Sequence, residues 1–191
     1  MYRRLSAIAA AALLLAGCVG LIGGNPGRLV LGLADLPPGF VQVAAGPYTN
    51  ADMAQAFAMP PAQVQGKLGR LDGYQAEFFS KGPILRVDST VSLYQGAVAA
   101  RHALRFEIAT NRRINAAERD LNLPRVGAQS TALQWTAIDA PSHVTLDFIA
   151  IYWRRNNALG AVVAVGRDGS IRPAEVLKLA QAQDAKFRRA L

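Results

Sequence analysis

The side chains that could carry out chemistry in this chain are few and scattered. Two histidines, His102 and His143, could act as general bases, and Asp139 and Ser142 precede His143 with the residue types of a hydrolytic triad. Triads are assembled by three-dimensional geometry rather than by adjacency, and no Gly-x-Ser-x-Gly nucleophile elbow is present. We therefore predict that the protein is not an enzyme, that it has no catalytic residue and that neither histidine is needed for its function.

Metal-ligating patterns are equally sparse. Asp139 and His143 are four residues apart, but Pro141 lies between them and prevents a regular helix. The Asp-Gly-Ser turn at 168–170 is not followed by the further acids that a calcium loop needs. The single cysteine rules out a multi-cysteine zinc site and any intramolecular disulfide. We expect no metal and no cofactor.

Two clusters of side chains suit binding better than catalysis. Trp153, Arg154 and Arg155 precede an Asn-Asn turn and could form an edge that binds an anion or a protein partner. Phe78 and Phe79 are adjacent in a predicted strand, so one ring points to each face of the sheet. One ring must therefore be in the core, while the other must meet a helix, a ligand or a partner. We expect this second ring to be buried under the N-terminal helix.

The first 18 residues form an export signal. Arg3 and Arg4 precede an apolar run from Leu5 to Leu15 that only Ser6 interrupts, and small residues follow. This run is too short to span the roughly 30 Å of a bilayer's hydrocarbon as a mature helix. The two arginines leave open whether export uses the general or the twin-arginine route.

The end of this segment resembles a bacterial lipobox. Leu15, Ala16 and Gly17 stand directly before Cys18. The resemblance implies that a diacylglyceryl thioether forms on Cys18 and that the chain is cleaved before it. We thus expect a lipoprotein signal peptide over 1–17, a lipidated cysteine with a short tether over 18–28, and one domain over 29–191. The protein would be exported and anchored to the cell membrane or the outer membrane through acyl chains on Cys18.

Composition agrees with one exported globular domain. The chain has 191 residues, of which 51% are hydrophobic and 18% are charged. Its formal net charge is +8, and removal of 1–17 takes away two arginines and no acid, which leaves +6. A basic envelope protein attracts anionic lipid headgroups. Without a basic motif interleaved with aromatic residues, we expect no nucleic-acid partner.

Hydrophobic periodicity predicts an α+β domain. Alternating patterns predict strands near 40–43, 70–80, 85–93, 130–138, 143–153 and 159–165, and the last of these is apolar on both faces and so central. Helical patterns cover 26–36, 52–58, 95–111 and a segment from Pro173 to the C-terminus. Hairpins dominate this order. We predict an antiparallel sheet of about five or six strands with helices packed on one side.

Several short motifs suggest a wider resemblance over 29–191. They are Leu36-Pro37-Pro38-Gly39-Phe40, Gly69 to Tyr74 at a strand start, Tyr94 before a helix, and Trp153 to Asn157 before a Val-rich strand. With these motifs the domain resembles uncharacterised bacterial envelope lipoproteins. In outline it is similar to PsbP-like domains and to the extracellular sensor domains of actinobacterial receptor kinases, although those sensor domains depend on disulfides that this chain cannot form.

The function that we predict is a membrane-anchored lipoprotein that binds, senses or supports an envelope complex without catalysis. One alternative is a carrier of a lipid or another apolar ligand, recognisable by a cavity lined with Leu, Val and Phe under the helices. A second alternative is a degenerate hydrolase, recognisable by catalytic residue types that converge in a cleft. The partner would accordingly be an envelope protein or an apolar ligand.

Overall fold

A computed structural model of the chain describes residues 22–115 and 118–190. In chain order, the strands are β1 (Val41–Pro47), β2 (Arg70–Phe79), β3 (Ile84–Tyr94), β4 (Arg119–Leu121), β5 (Gln129–Asp139), β6 (Val144–Arg155) and β7 (Ala158–Arg167). The helices are α1 (Asn50–Ala56), α2 (Pro61–Leu68), α3 (Ala97–Ile114) and α4 (Pro173–Arg189). Short 3-10 turns lie at Pro26–Arg28 and Leu33–Asp35.

The strands form one antiparallel sheet in the order β1-β2-β3-β7-β6-β5-β4. The predicted α+β class is confirmed, and β7 is central as its apolar pattern indicated. The count of five or six strands was too low by the edge strand β4. This strand has only three residues, which is too few to show a periodic hydrophobic pattern.

The prediction that the helices pack on one side of the sheet was wrong. Helices α1, α2 and α3 cover one face, where Met53, Val64 and Leu104 pack on Leu159. Helix α4 covers the opposite face through Phe187 and other apolar residues. Because the central strand β7 is apolar on both sides, each face of the sheet must be covered to keep it from water.

The N-terminal segment is a strap on the α4 face and not the predicted helix over 26–36. Leu29, Val30 and Leu31 are all buried, although consecutive residues of an amphipathic helix cannot share one buried face. The backbone N–H of Leu31 donates to Ser89 Oγ at 2.9 Å, and Lys186 Nζ of α4 donates to the carbonyl of Val30 at 2.7 Å. The strap is therefore held between the sheet and α4.

On the other face, a second helix that the sequence pattern did not predict begins directly after Pro60. Pro61 is the first residue of α2, a position where the missing N–H costs nothing. Helix α1 begins with a capping box, in which Thr49 Oγ1 accepts from the N–H of Asp52 and the Asp52 carboxylate accepts from the N–H of Thr49. Helices α1 and α2 thus lie as a short pair beside α3.

The strand register defines two ends of the sheet. At one end, Leu93 is opposite Ala158, and the β6–β7 turn at Asn156 and Asn157 follows. At the other end, Ile84 is opposite Gly166, and the β2–β3 turn at 80–83 follows. Among the described residues, no helix has the length and apolar character to cross a bilayer.

Candidate functional site

An apolar cleft opens at the end of the sheet where β2 and β3 meet. Its volume is about 950 Å³, within the range of pockets that hold small molecules. Leu36, Ile84 and Leu179 form its buried floor, while Phe40 and Phe79 stand closer to the mouth. The walls come from three separate parts of the chain: the loop after the second 3-10 turn, the β2–β3 turn, and the first turns of α4.

Hydrogen bonds fix the β2–β3 wall of the cleft. Ser80 Oγ donates to the carbonyl of Ile84 at 2.5 Å and accepts from the N–H of Gly82 at 3.0 Å. Ser170 Oγ, beyond the end of β7, donates to the carbonyl of Pro83 at 2.8 Å. The turn is thereby tied to its own strand and to the next one, so this wall does not depend on a ligand to hold its shape.

The loop wall is held by an ion pair to α4. Asp35 accepts from the N–H of Gly32 at 2.7 Å and pairs with Lys186 Nζ at 2.6 Å. Beyond Asp35, two prolines stiffen the loop, and Gly39 at φ 98° turns the chain into β1. The loop crosses the end of the α4 face and leaves apolar side chains facing the cleft.

The acidic side chains at the rim of the cleft are ion-paired, whereas, among the described residues, the lysines there are not. The two acids that line it are paired, Asp35 with Lys186 and Glu175 with Arg172. The two lysines that line it, Lys81 and Lys178, are exposed and have no ion-pair partner within the described part of the chain. The mouth of the cleft therefore presents positive charge above an apolar interior.

The adjacent phenylalanines differ in burial as their alternation predicted, but the expected burial of the second ring under an N-terminal helix was wrong. Phe78 is fully buried in the core on the α4 face. Phe79 is 40% exposed and lines the cleft. An aromatic ring that is half open to water, next to an apolar cavity, is a typical ligand contact.

The structure does not bring Trp153, Arg154 and Arg155 to one exposed edge, which corrects the interpretation of these three as a binding site. Trp153 is fully buried, and its ring centroid lies 5.7 Å from that of Phe187. Arg155 makes a bidentate pair with Asp184, at 2.9 and 2.8 Å. Only Arg154 is partly free, with one bond from its Nε to Gln129 at 3.2 Å. Successive residues of a strand point to opposite faces, so Trp153 and Arg154 lie on opposite sides of β6.

Asp139, Ser142 and His143, which have the residue types of a hydrolytic triad, lie at the turn between β5 and β6. Ser142 Oγ donates to the Asp139 carboxylate at 2.5 Å, and the backbone N–H of His143 donates to the carbonyl of Asp139. His143 has a positive φ of 55°, as tight turns require. The serine hydroxyl is thus engaged by the acid and not by the imidazole. His102 is exposed on α3, away from this turn.

The remaining predicted site residues were tested only in part. Cys18 and the lipobox residues Leu15, Ala16 and Gly17 lie outside the described residues. Within 22–115 and 118–190, no group of three His, Cys, Asp or Glu side chains has a geometry that could hold a metal ion.

A buried polar network lies between α3 and the sheet, and sequence reasoning missed it. Arg70 is almost fully buried and donates from Nε to Ser92 Oγ at 3.0 Å, from Nη1 to Asn50 Oδ1 at 2.7 Å and from Nη2 to the carbonyl of Tyr48. Tyr94 donates from its hydroxyl to Glu107 at 3.4 Å.

The charges in this network perturb one another. Burial raises the pKa of Glu107 from 4.5 to about 7, although the charge of Arg70 and the Tyr94 hydrogen bond lower it in part. Burial also raises the pKa of Tyr48 to about 12. None of the four best-formed cavities in the described part of the chain is lined by Arg70, Tyr48, Tyr94 or Glu107, so we assign these groups to the folding core.

Comparison with known proteins gives a likeness in fold. No protein-family model and no curated protein matches the chain. Among solved structures, the extracellular domain of PknH from Mycobacterium tuberculosis is similar, with a TM-score of 0.57 and 12% sequence identity over 84% of this chain and 93% of that one. At this identity the likeness shows a shared fold.

An apolar cavity was predicted only as the mark of the carrier alternative, and its lining residues were not identified from the sequence. The Leu-Pro-Pro-Gly-Phe motif and the Phe78-Phe79 pair were noted separately. What joins them is the β2–β3 hairpin together with the placement of α4 on the face opposite α3. A prediction with all helices on one face could not have brought α4 to this loop.

Proposed function

We propose that the protein is an exported, envelope-anchored binding module that holds an amphipathic ligand, an apolar chain with an acidic group, in the cleft. The single observation that carries the proposal is the cleft of about 950 Å³ at the end of the sheet. Its floor of Leu36, Ile84 and Leu179 offers an acyl-like chain an apolar surface that is kept away from water.

The acidic group of the ligand is inferred from the rim. Lys81 and Lys178 carry positive charge beside the mouth, while the acids Asp35 and Glu175 are already ion-paired. A carboxylate or phosphate at the end of an apolar chain would complement these two lysines. A neutral ligand could form no ion pair with these lysines and should therefore bind less tightly.

We further propose that binding is not followed by chemistry. Ser80 and Asp35, which line the cleft, are held by the β2–β3 turn and by Lys186. The exposed Lys81 and Lys178 are suited to binding an acidic group. Anchoring by acyl chains on Cys18, as the lipobox resemblance implies, would keep such a module at a membrane surface. The likeness in fold to a receptor kinase's extracellular domain supports a binding or sensing role outside the cytoplasm.

The experiment is a titration with cis-parinarate, a fatty acid whose fluorescence rises in an apolar site. The native chain should bind it saturably. Phe79→Asp should weaken binding because it puts a charge at the apolar mouth, and Lys178→Glu should weaken binding because it repels the carboxylate. The methyl ester of the same fatty acid should be insensitive to Lys178→Glu.

Matched controls come from exposed positions on α3. Ile114→Asp introduces the same charge at an exposed apolar residue, and Arg113→Glu reverses a charge, both at the end of α3 and outside the residues that line the cleft. Both should bind parinarate like the native chain. The proposal is wrong if the native chain shows no saturable binding, or if the cleft variants and the α3 controls bind it equally.

A further inference from the structure

We infer that the end of the domain opposite the cleft is a surface that docks on an anionic lipid bilayer, so that the cleft opens away from the membrane. The inference rests on the Cys18 anchor of the proposed function and adds the surface, its lipid chemistry and the orientation. Three observations lead to it: where the chain enters the fold, which charges lie at that end, and how far away the cleft is.

The chain enters the fold at the β6–β7 turn. Ile22 is buried, its N–H donates to Asn157 Oδ1 at 2.7 Å, and its carbonyl accepts from Asn157 Nδ2 at 3.0 Å. Asn157 Nδ2 also donates to the carbonyl of Tyr94, at the end of β3. Cys18 precedes Ile22 by four residues, which span at most about 14 Å of extended chain. An anchor on Cys18 must therefore lie close to this end of the sheet.

Exposed basic side chains gather at the same end, and we call them the basic end. Arg154, which is half-buried, lies two residues before the turn. Burial lowers its pKa, and the nearby charge of Arg101 at the start of α3 lowers it further. Lys67 ends α2 beside the start of α3. The C-terminus of α4 adds Arg188 and Arg189, in the helix whose Phe187 contacts Trp153.

The acids at this end are fewer than the basic residues. Asp184 is shared between Arg155 and Arg188, and the exposed Asp72 adds one negative charge. Two exposed apolar side chains, Val98 at the start of α3 and Leu71 at the start of β2, accompany the basic residues, and Val98 is 77% exposed. Basic residues together with exposed apolar side chains are typical of surfaces that lie on anionic lipid headgroups.

Distance decides which charges the membrane attracts. Strand β3 has 11 residues between the basic end and the cleft end, which is about 33 Å at the rise of a β-strand. The Debye length at physiological ionic strength is about 8 Å, so charges near the cleft are screened from a bilayer that lies at the basic end. The basic end can contact the headgroups, whereas Lys81 and Lys178 remain available for a ligand that arrives from the aqueous side.

The test uses the lipidated full chain in vesicles of equal parts phosphatidylglycerol and phosphatidylcholine. Cys18 is the only cysteine and is blocked by its acyl chains, so a cysteine introduced elsewhere takes a fluorophore alone. Labels are placed through Val98→Cys at the basic end or through Ile138→Cys, which is 68% exposed near the other end of the sheet. A nitroxide on the lipid headgroups should quench the first label and spare the second.

Charge reversal supplies the matched controls. Combining Lys67→Glu, Arg101→Glu and Arg189→Glu should abolish quenching of the label on Val98→Cys, as should vesicles of phosphatidylcholine alone. The combination of Arg113→Glu, Arg119→Glu and Arg167→Glu changes the net charge equally but lies away from the basic end, and it should leave the quenching unchanged.

The inference is overturned if the two labels are quenched equally, or if the two charge-reversed combinations behave alike. Flotation of the vesicles distinguishes a wrong orientation from a missing anchor, because an unanchored chain stays in the dense fraction. Parinarate binding in the same samples reports on the cleft separately, so a failure of the ligand proposal would be visible on its own.

Discussion

At the scale of single residues, the domain buries two ionisable side chains, the carboxyl of Glu107 and the guanidinium of Arg70. Glu107 lies on α3, Arg70 lies at the start of β2, and Tyr94 of β3 donates to Glu107. Both charged side chains are buried. Such groups are costly to bury and are tolerated only when hydrogen-bonded, as Arg70 is by Ser92 and Asn50. Residues 70 and 107 are far apart in the sequence, so no local pattern could have predicted their proximity.

This network predicts how stability depends on pH. Burial raises the pKa of Glu107 from 4.5 to about 7, so the folded state holds its proton more tightly than the unfolded state. Its contribution to the free energy of unfolding is complete below the unfolded pKa and is lost as pH rises through the folded one. The free energy of unfolding in urea should therefore fall between about pH 5 and about pH 8, and by less in Glu107→Gln.

Asp88 acts in the same direction, because burial raises its pKa from 3.8 to about 6. Asp88→Asn should thus also reduce the fall in stability, at the lower end of the same pH range. A pH profile of Glu107→Gln that is superimposable on the native one would show that Glu107 is not the group responsible.

At the scale of elements, the alternation of apolar and polar residues predicted most of the sheet. It did not predict which face of the sheet each helix covers. The hairpin of β2 and β3, the central place of β7 and the C-terminal helix were all predicted within a few residues of their bounds. The apolar stripe of α4, with Val176, Leu179 and Ala180, is buried as expected. Which face a helix covers depends on how the chain crosses the sheet edge, and hydrophobic periodicity carries no information about that.

The contact between α4 and the sheet depends on a glycine, Gly160, where any side chain would collide with its neighbours. A Cβ on Gly160 of β7 would lie 2.6 Å from Cζ2 of Trp153 and 3.0 Å from Cζ of Phe187. Gly160→Ala should therefore destabilise the domain by about 1–3 kcal/mol, the usual cost of overpacking a core. Urea unfolding followed by circular dichroism would measure this loss.

Gly46 in β1 is the matched control for this substitution. A Cβ there meets no atom within 4 Å, so Gly46→Ala should leave the free energy of unfolding nearly unchanged. Equal stabilities for the two alanine variants would mean that Trp153 and Phe187 do not pack on Gly160 as described.

At the scale of the whole molecule, the account needs the chain to be anchored at its N-terminal side. Cys18→Ala should abolish acyl labelling and prevent processing at the lipobox. Two acyl chains hold a protein stably on a bilayer, whereas the attraction of the basic end alone is screened by salt. High salt should thus fail to release the native protein from membranes, while detergent should release it. Native protein recovered in the salt wash with an unmodified Cys18 would contradict the anchor.

The central claim, that the cleft holds an amphipathic ligand, is tested most directly by photocrosslinking with a long-chain fatty acid that carries a diazirine on its alkyl tail. After irradiation of the full chain and peptide mapping by mass spectrometry, the account predicts adducts at residues around the cleft floor, namely Leu36, Ile84 and Leu179. Excess unlabelled fatty acid should suppress these adducts, and Phe79→Asp should reduce them. Adducts confined to other surfaces, or adducts that excess fatty acid does not suppress, would contradict it.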